Sequence, residues 1–302
     1  MASAVSSNVC DLSRIYSNNK DEYSYSLPES ILASYLSGKA FDHTVKYTPD
    51  ESARLEADIN ALFANIMAEQ PEQGRVAYIT AGAPGAGKTT LLHQHRKAQT
   101  KSIAYVCPDD VCLKGQESTY QAEIAAGDGS AQARKAAYDK WRPASNAANH
   151  LLLANLIKEN YSFYFGTTCS SDKTYLFFEF LKARGYTIKV LHVSAPNRVR
   201  WESIQERDKT FIQTTEIDVH QKGIDVPQRL HDTFTAFADE IEFYYRDRFD
   251  GDAVLAARWT RSDSIEVIDQ AAYEGVATVQ NDVADQLERP DLKFNTIDQT
   301  VD

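Results

Sequence analysis

From Arg75 onward, short apolar runs alternate with longer segments in which apolar positions return every three or four residues. The runs at 75–81, 102–107, 161–165 and 187–194 predict buried strands, with a weaker one at 253–259. Between them the helical period predicts helices at 88–98, 143–159, 171–184, 196–208 and 227–246. The last carries the most regular stripe: Leu230, Phe234, Phe237, Ile241 and Tyr244. Strands rich in Leu, Ile, Val and Tyr that alternate with helices imply an α/β fold, a parallel sheet of about five strands with helices on both sides. Ligands of such sheets gather beyond the carboxyl ends of the strands, so the residues just after each strand carry the chemistry.

Upstream, Thr48-Pro49-Asp50-Glu51 reads as a helix start, with threonine as cap, proline in the first turn and an acid three residues on. Leu55, Ile59, Leu62, Phe63 and Ile66 follow on one face. That stripe is expected to pack against the main domain, since alone it would face water. Leu27-Pro28-Glu29-Ser30 predicts a further short helix carrying Ile31, Leu32, Tyr35 and Leu36, and residues 1–27 are polar and expected to be loosely ordered. The polar tail from about 280 is expected to be peripheral.

Between the first predicted strand and helix lies Gly82-Ala83-Pro84-Gly85-Ala86-Gly87-Lys88-Thr89, which fits the phosphate-binding pattern G-x-x-x-x-G-K-[ST] and runs on through Thr90. Glycines let backbone N–H groups curl around a phosphate, and the helix start adds the positive end of its dipole. Lys88 is placed to reach the β- and γ-phosphates and Thr89 to hold Mg²⁺. The expected cofactors are therefore ATP and Mg²⁺. The expected organisation is an extension with packing helices over 1–70, a phosphate-loop kinase domain over 71–280 and a tail over 281–302.

The strand ending at Cys107 leads into Pro108-Asp109-Asp110. Two carboxylates at a strand tip suit phosphoryl transfer: one can take the proton of an attacking hydroxyl, the other can orient Mg²⁺-bound water. Arg207 closes the helix over 196–208 and is a candidate cation for the transferred phosphoryl group. It precedes a polar stretch, 209–225, read as a lid that also carries Lys222. His93, His95, Arg96, Lys97 and Lys101 read as one exposed basic face.

Composition narrows the partners. The 302 residues carry a formal net charge of -11, against a broad nucleic-acid or anionic-membrane footprint. No apolar stretch is long enough to span a bilayer. The first residues lack a basic-then-apolar leader, so a cytoplasmic site is expected, export by a route that needs no signal peptide staying open. Four scattered cysteines (Cys10, Cys107, Cys112 and Cys169) have no zinc-site spacing and read as reduced, buried thiols.

The order of these motifs resembles the zeta-toxin family of P-loop kinases over about 75–250. The loop from Ala81 to Thr90, with its internal Pro84-Gly85, is similar to that family's version. So are Pro108-Asp109-Asp110, Arg142-Pro143-Ala144-Ser145-Asn146 and Phe165-Gly166-Thr167-Thr168. The resemblance implies that Asp110 is the general base, Lys88 and Arg207 are catalytic, and Asp109, Ser145, Phe165, Thr167 and Thr168 line the acceptor. It implies ATP-dependent phosphorylation of a hydroxyl on a nucleotide-sugar or similar metabolite, and a cognate antitoxin or inhibitor protein as a partner. The family has an acid where this chain has Phe165, which can stack on a ring but cannot bind a sugar hydroxyl. Its second lid arginine has no clean counterpart either, Lys222 being the candidate substitute, and a dinucleotide ribose fits Phe165 as well as or better than a nucleotide-sugar does. Two other readings stand beside this one: a nucleotide-gated switch that acts on a protein partner, and a polynucleotide 5′-hydroxyl kinase, which the acidic balance opposes.

Overall fold

In a computed structural model the described residues are 47–211 and 214–299. The short helix expected near Leu27–Leu36, and Cys10, lie outside them. Among the described residues seven strands form a mostly parallel sheet in the order β2-β3-β1-β4-β5-β6-β7, numbered along the chain, flanked by helices and preceded by one. This is the expected α/β class, with two more strands than the sequence predicts. By compactness the described chain divides into two units that interleave in sequence: 47–75 with 100–163, and 76–99 with 164–299.

In the first unit, α1 (Pro49–Ala68) begins at a complete capping box. Thr48 Oγ1 accepts from Glu51 N at 3.2 Å, and Glu51 Oε2 accepts from Thr48 N at 2.9 Å. Its buried face is the stripe Leu55, Ile59, Leu62, Phe63 and Ile66. On the same helix the buried Asp58 accepts from Ser118 N, Ser118 Oγ and Thr119 Oγ1, pinning the segment that follows β2 (Ala104–Val106). A π-helical turn, Pro108–Leu113, leaves β2 directly, with Cys112 N donating to Cys107 O at 2.9 Å. The short α3 (Ala122–Ala126) leads to α4 (Ala131–Lys158).

Helix α4 starts twelve residues before the expected position, at Ala131, capped by Ser130, whose side chain accepts from Ala133 N. Pro143, expected to open the helix, rides inside it. The residues before it, Ala131-Gln132-Ala133-Arg134-Lys135-Ala136-Ala137, are strong helix formers, and Ala137 and Trp141 bury there. That outweighs the one hydrogen bond a proline removes.

The second unit holds β1 (Val76–Ala81), α2 (Lys88–Lys97), α5 (Thr174–Ala183), β4 (Thr187–Ser194), α6 (Asn197–Asp208) and α7 (Glu216–Arg229), together with the end of β3 (Phe163–Phe165). A short α8 (Thr235–Phe237), β5 (Glu240–Tyr245), β6 (Val254–Thr260), β7 (Asp263–Val267) and α9 (Gln270–Gln286) follow. Strands β1, β4 and β5 run parallel, with Ile79 beside Val190 and Val190 beside Ile241; β6 and β7 add antiparallel.

Three expectations fail here. The helix over 227–246 does not exist as such: α7 ends at Arg229, a π-helical turn covers Leu230–Phe234, and 240–245 is strand β5. Its apolar residues serve a different period: Ile241 and Phe243 are fully buried, while Glu240 and Glu242 face the other side of the sheet. There Lys189 pairs with Glu240 at 2.8 Å, Arg258 with Glu242 at 3.0 Å, and His95 Nε2 stands 3.7 Å from Glu242. His95 is thus half-buried in a charged network rather than on an exposed basic face. The segment beyond 280 is not peripheral in its described part either, since Val283, Ala284, Leu292, Phe294 and Ile297 are buried.

Candidate functional site

The glycine loop leaves β1 at Gly82 and enters α2 at Lys88. Gly82, Gly85 and Gly87 have φ of 154°, 80° and 100°, which side chains rarely tolerate. Space explains two of them as well. A Cβ at Gly82 would stand 2.6 Å from Val193 O, and one at Gly85 only 2.2 Å from Arg200 O. The loop is therefore wedged against the end of β4 and the backbone of α6. Thr168 O accepts from Gly82 N at 3.1 Å. Thr80 Oγ1 exchanges 2.9 Å hydrogen bonds with the carbonyl and N–H of Thr167. Expected site residues Thr167 and Thr168 thus brace the loop's first turn.

Inside the loop Ala86 N donates to Ala83 O at 3.2 Å, and Lys88 Nζ donates to the same carbonyl at 3.0 Å. The backbone N–H groups of Gly85, Gly87, Thr89 and Thr90 have no acceptor among the described residues. Unpaired donors at a helix start, with a lysine beside them, make an anion cradle. Thr89 and Thr90 are exposed at the first turn of α2. Among the described residues no group of three or more His, Cys, Asp or Glu side chains could hold a metal by itself. A hydroxyl such as Thr89 with few protein ligands fits an Mg²⁺ that takes most of its oxygens from phosphates and water.

The first unit gathers a second group of polar residues around the π-helical turn. Asp110 accepts from Tyr105 OH at 3.1 Å and from Lys114 Nζ at 2.8 Å. Burial, with the nearby Cys107 and Asp110, pushes the Tyr105 hydroxyl well above its ordinary range, so it stays a donor. Asp109 forms an ion pair with Arg142, Nε standing 2.7 Å from Oδ1 at an angle that makes no hydrogen bond. Arg142 also donates to Tyr138 OH, Ser145 Oγ and Asn146 Oδ1. Burial opposes its charge, and the Asp109 carboxylate together with Tyr138 and Cys107 more than offsets that, leaving its pKa raised. Burial pushes the Cys107 and Cys112 thiols up, so neither offers a thiolate.

Of the expected residues, Asp109, Asp110 and Ser145 come together in this group, and the loop residues come together with Thr167 and Thr168. Ser145 is fully buried and donates to Arg142 O at 3.0 Å. Phe165 is 3% exposed, its ring edge-on to Phe177 at 5.6 Å. Arg207 donates to Asp208 and Thr214. The stretch 209–225 read as a lid is helical from Glu216, because Thr215 caps α7 and Val219 and Val226 bury.

Sequence reasoning missed Tyr105, Lys114 and Arg246 as parts of these groups, and named Arg142 only within the Arg142–Asn146 motif. Lys114 was readable, four residues beyond Asp110 on a helical turn. Arg246 carried no such signal. It follows β5, is 7% exposed, and its Nη1 would stand 2.8 Å from a Cβ at Gly87.

The zeta-toxin family model matches residues 60–272. A structure of the PezAT chromosomal toxin–antitoxin system of the human pathogen Streptococcus pneumoniae is similar at a TM-score of 0.51 and 16% identity, over 80% of this chain and 99% of that one. The AvrRxo1-ORF1:ORF2 complex with ATP is similar at 0.55 and 14%, over 78% of this chain and 74% of that one. Its form with sulphate ions gives 0.54 and 14%, over 84% and 88%. No curated protein sequence matches.

Proposed function

The chain belongs to the zeta-toxin family of kinases, nucleotide-binding phosphotransferases, and on that premise we propose that it moves the terminal phosphoryl group of ATP to a hydroxyl of a small nucleotide-type metabolite, a nucleotide-sugar or a dinucleotide ribose. The observation that carries the proposal is the glycine loop: three positive-φ glycines, unpaired N–H groups at Gly85, Gly87, Thr89 and Thr90, and Lys88 at the helix start. Such a cradle suits the phosphates of ATP, with Thr89 as the hydroxyl for Mg²⁺. Mg²⁺ when bound neutralises charge that builds on the transferred group.

Asp110 is the proposed general base. Tyr105 and Lys114 fix both of its oxygens in orientation, and a carboxylate can accept at about four sites. The proton of that hydroxyl passes to Asp110 as the oxygen attacks the phosphoryl group and ADP leaves. Asp109, held by Arg142, is proposed to meet the acceptor, and Arg207 to leave Asp208 and steady the phosphoryl group. Both AvrRxo1-ORF1 structures hold ORF2 as a second component, and PezAT is a toxin–antitoxin system. We carry a cognate inhibitor protein over to this chain as part of the proposal.

Replacing Asp110 by Asn keeps the size and removes the base. Transfer from ATP to an acceptor is expected to fall about 10²- to 10⁴-fold, with ATP affinity unchanged. Undiminished transfer by that variant removes Asp110 from the mechanism.

A further inference from the structure

Arg246 has no duty in the reaction outlined above, and its surroundings are unusual for an arginine. Its N–H donates to Ser194 O at 3.0 Å, which fixes it at the carboxyl end of β5, and Nη2 donates to Ser203 Oγ on α6. Nη1 lies against Gly87, the last loop residue before α2. Nε is buried and has no hydrogen-bond partner among the described residues. No carboxylate of those residues reaches ion-pair distance of the guanidinium; Asp250 acts on it only through space and pairs with Arg248 at 3.7 Å.

A buried guanidinium without an acid partner is costly, and an apolar residue of the same length would relieve that cost. What stands beside it gives the reason to keep it. Within this one unit the loop offers unpaired N–H groups, the start of a ten-residue helix and Lys88, all favouring negative charge. Arginine supplies a planar, permanently charged set of donors suited to phosphate oxygens. We propose that Arg246 binds the phosphate chain of the donor nucleotide, a second fixed cation beside Lys88. The inference rests on the kinase reading and adds a residue to it.

The test titrates the full chain, unaltered and as Arg246→Met and Arg246→Lys, with ATP and with adenosine, and records melting of each without ligand. Methionine keeps most of the aliphatic bulk and removes the charge. The expected result is a Kd for ATP about 10- to 100-fold higher in Arg246→Met, the range of a lost charge-assisted hydrogen bond. Adenosine affinity stays unchanged, Arg246→Lys recovers part of the loss, and Arg246→Met melts at the same or a higher temperature. A strut between the loop and α6 predicts the opposite sign in melting. Unchanged ATP affinity in Arg246→Met overturns the inference. So does a ligand-free melting temperature that falls, or an equal loss for adenosine. Failure of the unaltered chain to bind ATP overturns the kinase reading with it, and shows before any substitution is made.

Discussion

His192 sits in the middle of β4, 3% exposed, edge-on to Phe234 and Phe243, and its Nε2 has no hydrogen-bond partner among the described residues. Burial lowers its pKa from 6.5 to about 4. The unfolded chain therefore takes up a proton near pH 6.5 that the folded protein refuses until about pH 4, so this residue costs stability as the pH falls through that window. Replacing His192 by Gln removes the penalty. Urea unfolding at pH 7 and pH 5 should show the variant gaining roughly 1–2 kcal/mol on the unaltered chain between the two. A constant difference would mean that His192 does not titrate in this way. At this scale the legible residues were those bound by spacing. Gly82, Gly85, Gly87, Lys88 and Thr89 follow each other in a fixed pattern, and so do Asp109 and Asp110. Arg246 meets Gly87 across 159 positions of chain, which no local pattern encodes.

Elements were legible where a terminus has its own chemistry. The α1 start was read from Thr48, Pro49 and Glu51, and the structure carries both bonds of the capping box. Thr48→Ala should cost about 1 kcal/mol, read as a lower urea midpoint at unchanged slope. No change would mean that the start of α1 is held by packing alone. Strand β4 was placed at its observed bounds because its apolar run is buried on both faces. Strand β5 was lost for the converse reason. Leu230, Phe234, Phe237, Ile241 and Tyr244 keep a helical spacing across a chain that changes from helix to strand. The alternation Glu240-Ile241-Glu242-Phe243 was the truer signal. Its glutamates look like a solvated helix face until Lys189 and Arg258 are seen opposite them. In α4, a strong local rule about proline lost to an alanine-rich segment and a buried Trp141.

For the molecule as a whole, the parallel α/β class follows from strand–helix alternation, and the family is shared with the zeta toxins. The split into two units was not legible, because each unit is built from two separated stretches of chain. The residues of the proposed chemistry are divided in the same way: the glycine loop belongs to one unit, and Asp109, Asp110 and Arg142 to the other. The central claim, transfer of phosphate from ATP to a small acceptor, is best tested by mass spectrometry of a metabolite pool incubated with ATP, Mg²⁺ and either the unaltered chain or Lys88→Ala. The account predicts one nucleotide-type species that gains a single phosphate with the unaltered chain and stays unmodified with Lys88→Ala. A pool left unchanged by the unaltered chain while ATP is consumed would contradict it.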